Sequence, residues 1–198
     1  SKSKSIFWFF NSVLERINNN WTFKYKIAGF NNSSKHFELV NGNEIYVSHE
    51  YKGIFRFNID KSFAKALNIF KYEKPLKSKN ASLTLYKNQI YYASKEGVFI
   101  LDAKTKTFVK DKNLSSIFNN DEYVTGKMVV DKSNKLWFFT KNYMHNFASG
   151  KLSSELKKNS LSIPASLTNS MPGYENISLI DNETYLIGTT DGYYVLKN

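Results

Sequence analysis

The side chains that most often carry chemistry are few in this sequence and far apart. Its three histidines are His36, His49 and His145, and no two of them have a short spacing such as H-x-x-x-H. That spacing is what places two imidazoles on one metal ion. Cysteine is absent, which excludes disulfides and thiolate metal sites. The sequence therefore predicts no metal centre and no cofactor, and each histidine is interpreted as a packed or surface residue.

The acidic residues form no recognisable catalytic motif. Asp121 and Glu122 are adjacent in a predicted loop, and Glu50 follows His49, but neither pair has the alternating acidic spacing of a calcium loop. The sequence also lacks the nucleophile elbow, the phosphate-binding loop and the dinucleotide fingerprint. A glycosidase-like carboxylate pair formed between distant strands is left open. We expect a protein that is not an enzyme.

A repeat of roughly 45 residues organises the chain. Four segments share a turn, an aromatic-rich strand, a second turn and a second strand. The apolar residue after the first turn recurs at steps of 45, 46 and 49 residues, at Ile45, Ile90, Leu136 and Tyr185. Repeats of about 40 to 50 residues with four strands per unit are typical of β-propeller blades. We therefore predict an all-β fold, a β-propeller of about four to five four-stranded blades.

The predicted blades form one domain and cover approximately residues 1–30, 36–70, 82–110, 124–156 and 175–198. The third strand of a blade follows Gly53, Gly97 and Gly192, where a tight turn requires a positive φ. The first blade lacks a predicted first strand, and the last lacks a predicted fourth. Either five small blades close a ring or, as we favour, the chain belongs to a larger propeller. Open blade edges also favour self-association.

The charge of the sequence limits which partners are expected, and its hydropathy limits whether it can cross a membrane. The formal net charge is +11, but only Arg16 and Arg56 of the 28 basic residues are arginine, and the lysines are spread over most turns. Recognition of bases and phosphates relies more often on arginine forks. We therefore expect no nucleic-acid binding by this domain. The longest apolar run, residues 6–10, is far shorter than the roughly 18 residues of a transmembrane helix.

Two segments of the sequence resemble parts of a known repeat family. The segment VDKSNKLWFFT (residues 130–140) resembles the D-x-x-G-x-[IL]-W-[IV]-G-T core of the two-component regulator propeller repeat, and LIGTTDGYYVL (186–196) is similar to the end of that repeat. Residues 171–177 are similar to the junction that precedes a triple-tyrosine domain. The resemblance implies a sensor domain of a Bacteroidetes-type regulator. It also implies a periplasmic or extracytoplasmic location, as part of a membrane-anchored protein.

The candidate ligand surface follows from blade topology. Long connections between blades, at 68–81, 111–123 and 157–175, are expected on the same face as the turns between the second and third strands. Long loops on a rigid scaffold are where binding concentrates. Those turns supply aromatic, amide and charged groups that suit a polyhydroxylated or anionic ligand, and the candidate binding residues are Tyr51, Lys52, Lys95, Glu96, Asn142 and Tyr143.

Two functions of different classes are compatible with these features. The first is a non-catalytic sensor domain of a membrane-bound transcriptional or two-component regulator. Its partner would be an unknown small ligand or glycan, or adjacent domains of the same regulator. The alternative is a structural or interaction propeller of a cell-surface or secretion assembly.

Overall fold

The computed structural model describes residues 12–32, 34, 36–148, 157–165, 176–181, 184–189 and 192–197. The chain divides into two compact units, Ser1–Lys77 and Ser78–Asn198. In the described part of the chain, almost all regular structure is β-strand, and about 4% of it is helical. Within the described ranges, no helix combines the length and apolar character needed to cross a bilayer.

The first unit contains a hairpin and a four-stranded sheet. The hairpin pairs β1 (Ser12–Ile17) with β2 (Asn20–Lys26) in an antiparallel register. The sheet is an antiparallel meander of four consecutive strands, β3 (His36–Val40), β4 (Glu44–His49), β5 (Gly53–Ile59) and β6 (Ala66–Lys71). Its core is formed by apolar residues of β4 and β5, including Val47 and Phe57, which are completely buried.

The second unit contains three further antiparallel sheets. The first two are four-stranded and the third has three described strands. In chain order the strands are β7 (Ser82–Tyr86), β8 (Gln89–Ser94), β9 (Gly97–Leu101) and β10 (Phe108–Asp111); β11 (Met128–Val130), β12 (Leu136–Phe139), β13 (Tyr143–Ala148) and β14 (Lys157–Ser162); and β15 (Asn176–Leu179), β16 (Thr184–Thr189) and β17 (Gly192–Lys197). Helix α1 (Lys112–Ser115) and a 3₁₀ turn (Ser116–Phe118) lie between β10 and β11.

Strand β12 shows why the apolar runs of this sequence become inner strands. All four residues of Leu136–Phe139 are buried, because both faces of this sheet are covered. Leu136 and Phe138 pack with apolar residues of β8 and β9, whereas Trp137 and Phe139 pack with residues of β15 and β16. An uninterrupted apolar strand is expected where both faces are covered. The apolar run in the sequence predicts that Trp137 and Phe139 are buried between blades, and the structure confirms it.

The glycines predicted to open the third strand of each sheet have the expected backbone. Gly53, Gly97 and Gly192 have φ values of +92°, +126° and +136°. At Gly97 a second constraint applies, because a Cβ atom there would lie 2.5 Å from Ser115 Oγ. This close approach brings the connection after β10 onto the start of β9.

The outer strands differ most from the prediction. Within the second predicted blade, the sequence predicts a fourth strand near residues 63–67, but β6 covers Ala66–Lys71. The sequence also predicts that the blade at 124–156 ends with a strand at 151–156, which lies outside the described residues. The corresponding sheet ends instead with β14 at Lys157–Ser162, inside the predicted connection 157–175. Outer strands pair on one side only, so burial imposes no regular apolar pattern on them: β14 is mostly polar (KKNSLS), whereas β6 has exposed apolar residues (ALNIFK). The strand expected at residues 6–11 also lies outside the described residues.

Candidate functional site

Among the described residues, a cleft in the second unit is a candidate for a functional site. Its volume is about 200 Å³. One wall is the connection between β10 and β11, and the other is made by side chains of the adjacent strands β13 and β14. The lining residues are Ser116, Ile117, Asn119, Asn120, Glu122, Tyr143, His145 and Ser160.

The connection that forms the first wall is folded and anchored. Asp111 caps α1 by accepting a hydrogen bond from the Leu114 N–H at 2.9 Å. Leu114 and Ile117 are buried in the core shared by β8, β9 and β12. The Ser115 hydroxyl accepts from the Val98 N–H at 2.9 Å and donates to the Val98 carbonyl at 3.2 Å, which attaches α1 to β9. The cleft therefore has a fixed wall.

Glu122 ties this wall to the turn between β12 and β13. One carboxylate oxygen, Oε2, accepts from the Thr140 hydroxyl at 2.9 Å and from the Asn142 N–H at 3.1 Å. The other, Oε1, accepts from the Asn142 side-chain amide at 2.5 Å. The Glu122 carbonyl also accepts from the Lys141 N–H at 2.9 Å. Glu122 thus joins the connection after β10 to the turn between β12 and β13, two segments that are about 20 positions apart in the sequence.

These contacts keep the Glu122 carboxylate ionised. Burial by itself would raise its pKa, but the hydrogen bonds from Asn142 and Thr140, together with the charge of His145, lower the pKa below its ordinary value. A carboxyl group with a lowered pKa holds its proton poorly at neutral pH. Glu122 therefore supplies a fixed negative charge to the cleft and is poorly suited to act as a general acid.

On the second wall, the aromatic ring of Tyr143 packs against the buried imidazole of His145. Tyr143 is 42% exposed, and its ring centroid lies 5.8 Å from that of His145, with the ring planes tilted by 33°. His145 is 4% exposed, and its Nδ1 lies 2.9 Å from the hydroxyl oxygen of Ser160, the residue opposite it on β14. The Tyr143 ring is thus held in place and still open to a ligand.

Two of the six predicted binding residues lie at this cleft. Tyr143 lines it, and Asn142 holds Glu122 in place. Lys95 and Glu96 form the exposed turn between β8 and β9, outside the lining. Tyr51 and Lys52 belong to the first unit, where Tyr51 is 66% exposed and the Lys52 ammonium donates to Asn32 Oδ1 at 2.5 Å.

Sequence reasoning missed most of the other lining residues. Glu122 was noted beside Asp121 but judged to lack a motif, and His145 was interpreted as a packed or surface residue. The structure shows that His145 is packed and that it also lines the cleft. The one available signal was the long connection at 111–123, which was expected to contribute to binding but without named residues.

Comparisons with known proteins give the fold class. No family model matches the chain, and no curated protein matches its sequence. Solved structures do match. The extracellular domain of the putative one component system BT4673 from B. thetaiotaomicron has a TM-score of 0.62 at 13% identity, over 94% of this chain and 26% of that one. Virginiamycin B lyase from Staphylococcus aureus has a TM-score of 0.54 at 12% identity, over 96% of this chain and 64% of that one.

A third similar structure is PorZ, an essential bacterial surface component of the type-IX secretion system of Porphyromonas gingivalis. It has a TM-score of 0.52 at 10% identity, over 98% of this chain and 24% of that one. The structural neighbours are β-propellers, so the chain is an all-β protein of the propeller class, as its repeat predicted. They include extracellular domains of two-component regulators, the kind of protein that the sequence resembles. The chain spans about a quarter of the length of BT4673 and less than two thirds of the lyase.

Proposed function

We propose that this chain is the extracytoplasmic recognition domain of a membrane-anchored regulator and that it binds through the cleft beside Tyr143. The observation that carries the proposal is the Glu122 bridge, which fixes the connection after β10 against the turn that presents Tyr143. A site whose polar groups are already in place loses little conformational entropy when a ligand binds. The fold shared with extracellular domains of two-component regulators supports this class of function.

The size and lining of the cleft indicate what it binds. Pockets for drug-sized ligands are typically about 300–1,000 Å³, and this cleft is smaller, at about 200 Å³. Asn119, Asn120 and the hydroxyls of Ser116 and Ser160 offer both donors and acceptors. The cleft therefore suits a small soluble ligand, or a single side chain or sugar unit of a larger partner, including an adjacent domain of the same regulator.

Binding without catalysis agrees better with the chemistry of the cleft. A general acid at neutral pH needs a raised carboxyl pKa, whereas the pKa of Glu122 is lowered. Three hydrogen bonds already occupy its two oxygens. The fold is also compatible with an enzyme, since virginiamycin B lyase shares it. The hydrogen bonds to Glu122, however, suit a residue that holds a ligand better than one that transfers a proton.

A structural role in a cell-surface assembly is the second candidate. Strand β6 carries exposed apolar side chains at Leu67, Ile69 and Phe70, which are 39%, 45% and 49% exposed. Exposed apolar groups on an outer strand suit contact with a partner protein. The fold shared with PorZ is consistent with this alternative.

Signalling by the complete regulator tests the first candidate. We expect Tyr143→Ala to abolish the response to the stimulus and to change the melting temperature by only a few degrees, because exposed turn residues contribute little to stability. Tyr51→Ala is the matched control, since Tyr51 is exposed in the equivalent turn of the first unit but does not line the cleft. A normal response from Tyr143→Ala would reject the cleft as the recognition site. A loss caused by Ile69→Ser instead would favour the structural role.

A further inference from the structure

The charge of the cleft contrasts with the charge of the chain. The sequence has a formal net charge of +11, yet the eight lining residues in the described part of the chain include one carboxylate and no lysine or arginine. Of its charged or titratable groups the cleft holds the Glu122 carboxylate and His145, and no lysine or arginine of the lining is there to attract an anionic ligand.

Among the described residues, the charged group that acts on the Glu122 carboxylate is His145, and no lysine or arginine forms an ion pair with it. In the described ranges, the ion pairs join Lys24 to Glu15 and Arg56 to Glu44, and neither involves Glu122. Its pKa is nevertheless lowered, so it remains charged at neutral pH. A partly buried carboxylate that is ionised and lacks a nearby lysine or arginine can be neutralised by a cation from outside the protein.

Glu122 also retains capacity to accept a hydrogen bond. An ionised carboxylate has about four acceptor positions. Two on Oε2 are used by Thr140 and the Asn142 N–H, and one on Oε1 by the Asn142 amide. About one position on Oε1 is left for a donor in the cleft. The half-exposed ring of Tyr143 supplies a second feature that attracts cations, because the face of an aromatic ring carries partial negative charge.

We propose that the ligand of this cleft is a small organic cation that carries a protonated amine, which donates to Glu122 Oε1 while its apolar part packs on Tyr143. This inference rests on the proposed function and specifies the ligand class for the same site. It departs from the polyhydroxylated or anionic ligands that the turn residues suggested, because the ligand proposed here is defined by a positive charge. The amine can belong to a free metabolite or to a lysine side chain or N-terminus of a partner, which share this chemistry.

Three probes of one shape and different charge test the proposal on the whole chain. Benzylamine, benzyl alcohol and benzoate are titrated separately while the amide signals of Asn120, Asn142 and Tyr143 are followed by NMR. We expect benzylamine to bind about fivefold more tightly than benzyl alcohol, because a charge-assisted hydrogen bond is about 1 kcal/mol stronger than a neutral one. Benzoate is expected not to shift these signals. A lysine-containing peptide and its acetylated form then distinguish a partner side chain from a free amine.

Two variants test whether the tighter binding of benzylamine depends on negative charge in the cleft. Glu122→Gln keeps one acceptor oxygen and removes the charge, so benzylamine should lose its advantage over benzyl alcohol. Asn120→Asp adds a charge without changing size at a residue whose φ of +58° suits Asp, so benzylamine should bind more tightly. The proposal is overturned if benzylamine binding is the same in both variants as in the native chain.

The outcomes of these titrations distinguish a failure of the cationic-ligand proposal from a failure of the proposed recognition function. Preferential binding of benzoate or benzyl alcohol at the cleft would overturn the cationic ligand and leave recognition at the cleft standing. If none of the three probes shifts the cleft signals, the cationic ligand is also overturned. In that case the signalling response of Tyr143→Ala still decides the proposed function independently.

Discussion

The indole N–H of Trp137 donates a hydrogen bond to Asp131 Oδ2 at 2.8 Å, and both side chains are buried. The second carboxylate oxygen of Asp131 accepts from the Lys135 N–H at 2.9 Å, so the same side chain shapes the turn that leads into β12. The Trp137 ring packs edge-on against Tyr185 at 5.1 Å. One aromatic residue thus connects a turn, its own strand and the neighbouring sheet.

Removing this ring should destabilise the second unit strongly. We expect Trp137→Ala to lower the free energy of unfolding by about 3–5 kcal/mol, because it leaves a large cavity in a fully buried site. Trp137→Phe keeps most of the ring but leaves Asp131 without one donor, at a cost of about 1–3 kcal/mol. Urea unfolding followed by circular dichroism measures both. An unchanged midpoint in Trp137→Ala would show that β12 is placed incorrectly.

A methyl group at Gly126 should be poorly tolerated. Its Cβ would lie 2.1 Å from the Ala93 carbonyl oxygen, a backbone atom that cannot move without disturbing β8. We expect Gly126→Ala to cost at least about 1–3 kcal/mol, as forced overpacking does. Gly42→Asn is the control, because nothing lies within 4 Å of a Cβ there and Asn tolerates its φ of +76°. Equal melting temperatures for the two variants would contradict the close packing at Gly126.

Loosening the Glu122 bridge should be visible in hydrogen exchange. Asn142→Ala removes the side-chain donor to Oε1, so the Lys141 amide, which donates to the Glu122 carbonyl, should exchange several-fold faster. Lys95→Ala, in the corresponding turn between β8 and β9, is the control and should leave this amide unchanged. If Asn142→Ala does not affect the exchange, the two segments are held by other contacts.

The same bridge should weaken in acid. Because the pKa of Glu122 is lowered in the folded chain, its contribution to stability is present above the unfolded pKa of about 4.3 and is lost as the pH falls through the folded pKa. Exchange of the Lys141 amide, corrected for the intrinsic rate, should therefore rise below about pH 4. Glu122→Gln should abolish this pH dependence, and its persistence in that variant would assign it to another group.

Alkaline pH should destabilise the second unit through Tyr91, which is buried, and Tyr123, which is partly buried. Burial raises the pKa of Tyr123 to about 12 and that of Tyr91 to about 12. A raised folded pKa contributes stability that is complete below the unfolded value of about 10 and is lost between about pH 10 and 12. Tyr123→Phe keeps the partly buried ring, which packs against the core, and should reduce the loss of stability in this range. An identical alkaline transition in the variant would mean that Tyr123 ionises without unfolding the chain.

The local sequence was sufficient to predict the inner strands and their turns. The apolar run at 136–139 and the recurring aromatic segments give a fold class, because a strand covered on both faces must be apolar throughout. Gly53, Gly97 and Gly192 indicate the turns, since a positive φ is unfavourable for most other residues. Both signals depend only on near neighbours in the chain, and the structure confirmed both.

Tertiary structure alone decided the composition of the cleft. Glu122 meets Asn142, and Gly126 meets Ala93, across separations of 20 and 33 residues that no local pattern encodes. Polar contacts of this kind depend on how two loops approach each other after the sheets have packed. The sequence around an isolated acidic residue such as Glu122 does not indicate whether its loop will meet another one. The sequence determined which segments become strands, whereas packing of the connection after β10 determined which side chains surround a ligand.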